Sequence, residues 1–172
     1  MFSLPVRIAL IVGASTVGIY LVANGEITGY GLLAAAAIFA AGYFRYGPIR
    51  PAFMALQRQQ FDKAQKLADT IRFPNLLGPE ARAYYNWIQG VLSAQDDDNL
   101  EHAEEQMSLA IAGPLRTDND RCVATATLAQ IVFQNNEPDR ALKILDDAMQ
   151  INHKDEVNAY LEQVRNEFKD GK

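Results

Sequence analysis

The chain has 172 residues, with 16 Lys+Arg against 21 Asp+Glu and a formal net charge of −5. From Arg45 onward the count is 15 basic to 20 acidic side chains, spread along the chain, which argues against a nucleic-acid surface and against a basic patch on anionic lipid. A lone cysteine, Cys122, excludes an intramolecular disulfide and leaves no thiolate cluster for zinc.

Val6–Ala23 is apolar or small apart from Arg7 at its edge, and Ile27–Phe44 carries no charge. A bilayer core about 30 Å thick takes roughly 20 residues of helix, and neither run keeps the polar face of a water-soluble core helix. The expected elements are two transmembrane helices, about 5–23 and 28–46, joined by Asn24–Glu26. The alternative is a pair of apolar helices buried in a water-soluble protein. Arg7 flanks the first run, Arg45, Arg50 and Arg58 follow the second, and only Glu26 is charged between them. Basic residues are retained on the cytoplasmic side, so both termini are expected there, in a plasma or bacterial inner membrane. Tyr20, Tyr30, Tyr43 and Phe44 sit near the ends, where ring and hydroxyl suit the interface. The competing reading is a cleaved secretory signal ending near Val22–Ala23, although no A-x-A site is present.

Small residues recur every four positions in both runs: Ala9, Gly13 and Val17; Ala14 and Gly18; Ala34, Ile38 and Gly42; Ala37 and Ala41. Small side chains let helix backbones approach closely in lipid. Gly13, Gly18, Ala37, Ala41 and Gly42 are therefore the candidate packing positions, either between the two spans or against another membrane protein.

Gly47, Pro48 and Pro51 make a stiff junction, residues 47–51, that bends the chain and holds the next helix near the headgroups. Residues 52–172 form the second domain. Three-to-four-residue apolar spacing predicts helices at 51–59, 61–72, 79–95, 100–112, 119–135, 138–150 and 154–169. Gly78-Pro79, Gly113-Pro114 and Asn136–Pro138 punctuate them, with Asp118 or Asn119 as the expected cap of the fifth.

Three of these helices open alike: Phe61-Asp62-Lys63-Ala64, Leu100-Glu101-His102-Ala103 and Pro138-Asp139-Arg140-Ala141. Each alanine is followed seven positions later by Ile71, Ala110 or Ala148, with Leu67, Met107 and Leu145 between, and the alanines lie 39 and 38 residues apart. Upstream stand Tyr84-Tyr85-Asn86-Trp87-Ile88-Gln89-Gly90 and, in the third repeat, Leu128-Ala129 and Val132. The pattern resembles the tetratricopeptide-repeat (TPR) family, whose unit of about 34 residues is a helix hairpin with small residues at the helix crossing. The longer spacing falls in the loops Phe73–Leu77 and Gly113–Thr117 and in the acidic turn Asp96–Asn99, and the usual turn glycine is missing. After the transmembrane hairpin read from the apolar runs, the resemblance, over about residues 49–153, implies a short α-solenoid of about three TPR-like hairpins, with a C-terminal cap helix following; the chain is expected to be all-α.

Chemistry is sparse. His102 and His153 stand apart, Asp96–Asn99 lacks the glycine and distant glutamate of a calcium loop, and no phosphate-binding glycine loop is present. Cys122 sits among Val123, Ala124 and Ala126 as a packing thiol, and Arg116 and Arg121 flank Asp118 and Asp120 as a local salt-bridged cap. The expectation is therefore no catalytic, metal or cofactor site. Protein partners and the lipid bilayer are the expected partners, with no nucleic acid. The resemblance implies a concave face lined by first helices, here Tyr84, Trp87, Val91 and Gln95, then Val123, Ala126, Gln130 and Phe133, unless Trp87 and Phe133 are core. For the family's carboxylate clamp only Asn86 is a candidate, because Thr125 and Gln130 stand where cations are wanted. Two functions follow: a membrane-tethered adaptor that recruits or helps assemble protein partners, or an integral accessory subunit of a larger membrane complex.

Overall fold

A computed structural model describes the backbone of residues 4–46 and 48–170, and the side chains of 9–42, 48–96 and 98–170. Arg7, Tyr43, Phe44, Arg45 and Gly47, read above as flanking and junction positions, lie outside the residues whose side chains are described. Among the described residues there are nine α-helices and two single-turn 3-10 segments, and no strand. The chain divides into two compact units, Met1–Gly47 and Pro48–Lys172.

The first unit is a helical hairpin of α1 (Leu4–Ala23) and α2 (Thr28–Tyr46). Gly25, at φ 79°, ends α1: its N–H donates to the Val22 carbonyl at 3.0 Å, and the Glu26 N–H donates to that of Leu21 at 2.9 Å. This is a Schellman closure, and its left-handed residue suits glycine. The helices cross most closely where a Cβ built on Gly29 would lie 2.7 Å from the Gly18 carbonyl oxygen and from Val22. Among the described residues no helix is long and apolar enough to cross a membrane. The described side chains of the hairpin cover 9–23 and 28–42, fifteen residues in each helix, or about 22 Å at about 1.5 Å per residue.

The second unit contains α3 (Ile49–Gln57), α4 (Phe61–Asp69), α5 (Pro79–Ser93), α6 (Leu100–Ala112), α7 (Asp118–Gln134), α8 (Pro138–Gln150) and α9 (Asp155–Asp170), with 3-10 turns at Pro74–Leu76 and Asp97–Asn99. Each helix packs on its neighbour in the chain, and in addition α3 packs on α5 and α7 on α9. Helix α3 begins two residues before its expected start, because Pro51 falls in the first turn, where a missing N–H costs no helical bond. Thr117, not Asp118 or Asn119, caps α7, its hydroxyl accepting from the Asp120 N–H at 3.0 Å.

Small residues carry the helix crossings. Ala52 and Ala64, Ala103, Ala129 and Ala141 are all 0 % exposed. A Cβ on Gly90 would meet Met107 Cγ at 2.6 Å and the Ala103 carbonyl oxygen at 3.1 Å. Larger side chains fill the space alongside: Ile88, Met107, Leu145, Leu161 and Phe168 are all buried. Cys122 is buried too, its Sγ 3.3 Å from the Ala148 carbonyl oxygen, and burial pushes its thiol above the ordinary value.

Candidate functional site

Helix α5 presents Tyr84, Trp87 and Val91 at spacings of three and four, so they share one face. Phe53 of α3 lies edge-on to both aromatics, its ring centroid 4.9 Å from Tyr84 and 4.8 Å from Trp87. Trp87 is 5 % exposed and Tyr84 is half-buried. The Tyr84 hydroxyl donates to Asp120 Oδ2 at 2.5 Å and accepts from the Arg116 N–H at 3.3 Å, tying α5 to the start of α7. Burial, and then the hydrogen bond to Asp120, push the Tyr84 phenol up to about 12. Arg116 reaches back to Glu80 at 2.8 Å, whereas Arg121 donates to the carbonyls of Ile111 and Gly113 at the end of α6. The two arginines therefore do not form the local pairs with Asp118 and Asp120 expected above; their partners lie on other elements, Glu80 of α5 for Arg116 and the end of α6 for Arg121.

On α7 the positions Val123, Ala126, Gln130 and Phe133 also share a face, and α9 lies on that helix. Ala126 is fully buried, and Phe133 stacks on Phe168 with centroids 4.4 Å apart. Gln130 accepts from the Tyr160 hydroxyl at 2.8 Å and donates to Glu167 at 3.2 Å. Val123 and Val91 are half-buried against the core, and Gln95, expected on the helix, is exposed in the turn beyond the end of α5, where it donates back to the Val91 carbonyl. The structure thus keeps the α7 row and all of the α5 row but Gln95 on one helix each and covers much of both, α3 over the α5 row and α9 over the α7 row. Thr125 is turned to the Arg121 carbonyl, to which its hydroxyl donates at 2.8 Å.

In the hairpin the five candidate small residues separate. Gly18 is buried at the crossing, where a Cβ would lie 2.9 Å from the Leu33 side chain. Gly13 is exposed with open space about it, Ala37 and Ala41 are exposed, and Gly42 meets nothing within 4 Å among the described residues. Gly29 and Ala36, which the four-residue spacing did not single out, share the interior with Gly18.

The acidic turn is held by its own side chains, Asp96 accepting from the Asp98 N–H and from Asn99 Nδ2. His153 is fixed by Asn158 and the Ile151 carbonyl, contacts that raise its pKa above the usual value. Among the described residues no group of His, Cys, Asp and Glu could hold a metal ion.

One surface feature escaped the reading of spacing. Leu77, Pro79, Arg82, Ala83, Asn86, Leu109, Gly113 and Pro114 line a shallow cleft of about 260 Å³ between α5 and the end of α6. Phe73 and Leu76 stand exposed in the loop before α5. Their only signal in the chain is two large apolar side chains inside a Pro/Asn loop, off any helical period.

No protein-family model matches the chain, and neither a curated protein nor a solved structure is significantly similar to it.

Proposed function

We propose that the chain is a membrane-anchored, TPR-like interaction protein. Its hairpin crosses the bilayer and holds a short helical-repeat domain at the cytoplasmic face, where the domain recruits or helps assemble protein partners. The observation that carries this reading is the surface of the hairpin. Leu10, Val12, Val17, Ile19, Ile38 and Phe39 are between 50 % and 72 % exposed, on both helices. So much uncovered aliphatic surface is costly in water, and lipid covers it without a dedicated partner. Residues 4–8 and 43–46 extend α1 and α2 to 20 and 19 residues, the length a bilayer takes. The repeat reading draws support from the buried small residues at each helix pair and from the packing of α3 on α5 and α7 on α9.

A second reading, an integral accessory subunit of a membrane complex, is favoured by two observations. Much of the expected concave surface is taken up by α3 and α9, and Gly13 leaves an open small-residue surface on α1. Affinity purification in mild detergent, with size-exclusion chromatography and mass spectrometry, separates the readings. Partners kept when the hairpin is exchanged for an unrelated one indicate an adaptor. Partners lost on that exchange and on Gly13→Leu, which leaves the helix crossing intact, indicate a subunit. Elution of the wild-type chain alone would overturn both.

A further inference from the structure

Charge in the helical unit is segregated rather than spread. Residues 48–90 carry six Lys+Arg and three Asp+Glu, whereas 91–172 carry eight and seventeen. A −5 chain therefore contains a net-basic segment, and it is the one that follows the hairpin directly. Its geometry gathers part of that charge at one end, whereas Arg58 and Lys63 lie at the opposite end beside the α3–α4 turn. Helices α3 and α4 form a tight pair, so the loop after α4 returns to the end at which α3 begins, and α5 starts and α6 stops beside it. Arg82 of α5 donates to the Asn75 carbonyl and fastens the loop there.

At this end lie Phe73, Leu76 and Leu109, at 60 %, 57 % and 49 % exposed; the only other exposed large apolar side chain among the described residues of the unit is Met54. Arg50, Arg72 and Arg82 are exposed at the same end, and none has an ion-pair partner among the described residues. Glu80 and Asp69 are present too; Arg116 neutralises Glu80, and Asp69, at the end of α4, accepts from Gln65 Nε2 and leaves the three arginines in excess. Asp118 and Asp120, at the start of α7, bound the basic surface on one side. An aromatic and an aliphatic side chain on a proline-stiffened turn, flanked by guanidinium groups, have the composition of a shallow interfacial contact: ring and alkyl at the acyl boundary, arginines on phosphate oxygens.

We infer that this end of the helical unit docks on anionic lipid headgroups, with Phe73 and Leu76 entering the interface and Arg50, Arg72 and Arg82 pairing with phosphates. The inference rests on the membrane reading above, and it replaces the expectation that the chain has no basic surface for anionic lipid.

The test uses the full chain in phosphatidylcholine vesicles with and without phosphatidylglycerol. An environment-sensitive fluorophore is placed at Leu76→Cys, at Ile38→Cys in the hairpin, or at Lys143→Cys on exposed α8, each in a Cys122→Ala background. The label at 76 should brighten about two-fold or more and be quenched by shallow brominated lipid only when phosphatidylglycerol is present, and salt or Arg72→Glu should reverse the change. The label at 143 should stay in water throughout. A label at 38 in lipid with one at 76 in water overturns the inference and leaves the membrane reading standing. A label at 76 that is dry whatever the lipid charge and salt also overturns it, pointing to a protein contact at the cleft. A label at 38 in water overturns both.

Discussion

Tyr84 joins α5 to α7 and to the loop before it through one hydroxyl, and its chemistry gives the fold an alkaline weakness. The phenol is raised from 10.0 to about 12, by burial first and then by the hydrogen bond to Asp120. The folded value exceeds the unfolded one, so the native chain holds the proton across that window. The stabilisation is complete below pH 10 and is lost as pH climbs toward 12. Tyr84→Phe should cost about 0.5–1.5 kcal/mol near neutrality through two lost hydrogen bonds. It should also make the alkaline decline shallower without abolishing it, because Tyr85 and Tyr160 are raised as well. Denaturant titrations of the two proteins at neutral and alkaline pH read both effects. Gly90 is the second sensitive position. A methyl there would press on Met107, which can swing away, and on the Ala103 carbonyl, which cannot. Gly90→Ala is expected to lose about 1–2 kcal/mol despite the better helix propensity of alanine. A gain in thermal midpoint would show that Met107 yields enough to relieve the contact.

At the scale of elements, the turns explain how the α3/α4 and α7/α8 hairpins close without glycine. Helix α3 ends with Gln59 at φ 57° and α7 with Asn136 at φ 61°. The Gln60 N–H donates to the Ala55 carbonyl at 2.9 Å and the Gln59 N–H to that of Leu56 at 2.8 Å; Glu137 to Val132 and Asn136 to Phe133 repeat the pattern at 3.2 and 3.0 Å. These are the closures that Gly25 makes in the first unit, carried here by side chains that fit the left-handed region less well. Gln59→Gly should therefore stabilise the second unit by about 0.5–1 kcal/mol, and Asn136→Gly by less, since asparagine tolerates that region. Thermal unfolding followed by circular dichroism checks the order; an equal loss at both sites would mean that the entropy of glycine in the unfolded chain outweighs the relieved strain. The pair α5/α6 closes differently, through the 3-10 turn at Asp97–Asn99, which accounts for part of its longer spacing.

The molecule as a whole is electrically lopsided, and this bears on its stability as well as on its docking. Residues 91–172 carry seventeen acidic against eight basic side chains. The ion pairs on that part of the surface, Arg140 with Glu104 and Glu137 and Arg165 with Asp146, are exposed or half-buried and each contributes little. Self-repulsion should then outweigh them, so raising ionic strength from about 10 mM to about 150 mM should raise the thermal midpoint as the screening length falls to about 8 Å. A falling midpoint in non-ionic detergent would assign the balance to the ion pairs instead.

Much of the fold was legible locally. Apolar spacing placed all seven helices of the second unit within about three residues, and the repeated alanines 64, 103 and 141 marked the crossings. Both are consequences of helix geometry, which repeats every few residues and needs no knowledge of the far chain. The fate of each face was decided only in three dimensions. Phe133, Gln130 and Ala126 read equally well as a binding row or as core, and α9, some thirty residues later, covers them. Arg116 could pair with Asp118 two residues away, yet it reaches Glu80, 36 residues back. Small residues in α1 and α2 look alike in sequence, but the crossing buries Gly18 and Gly29 and leaves Gly13 open. Phe73 and Leu76 obey no period at all, and their exposure follows from where α4 ends and α5 begins. Helical elements arise from neighbours along the chain; surfaces arise from what packs across it, and periodicity carries no record of that.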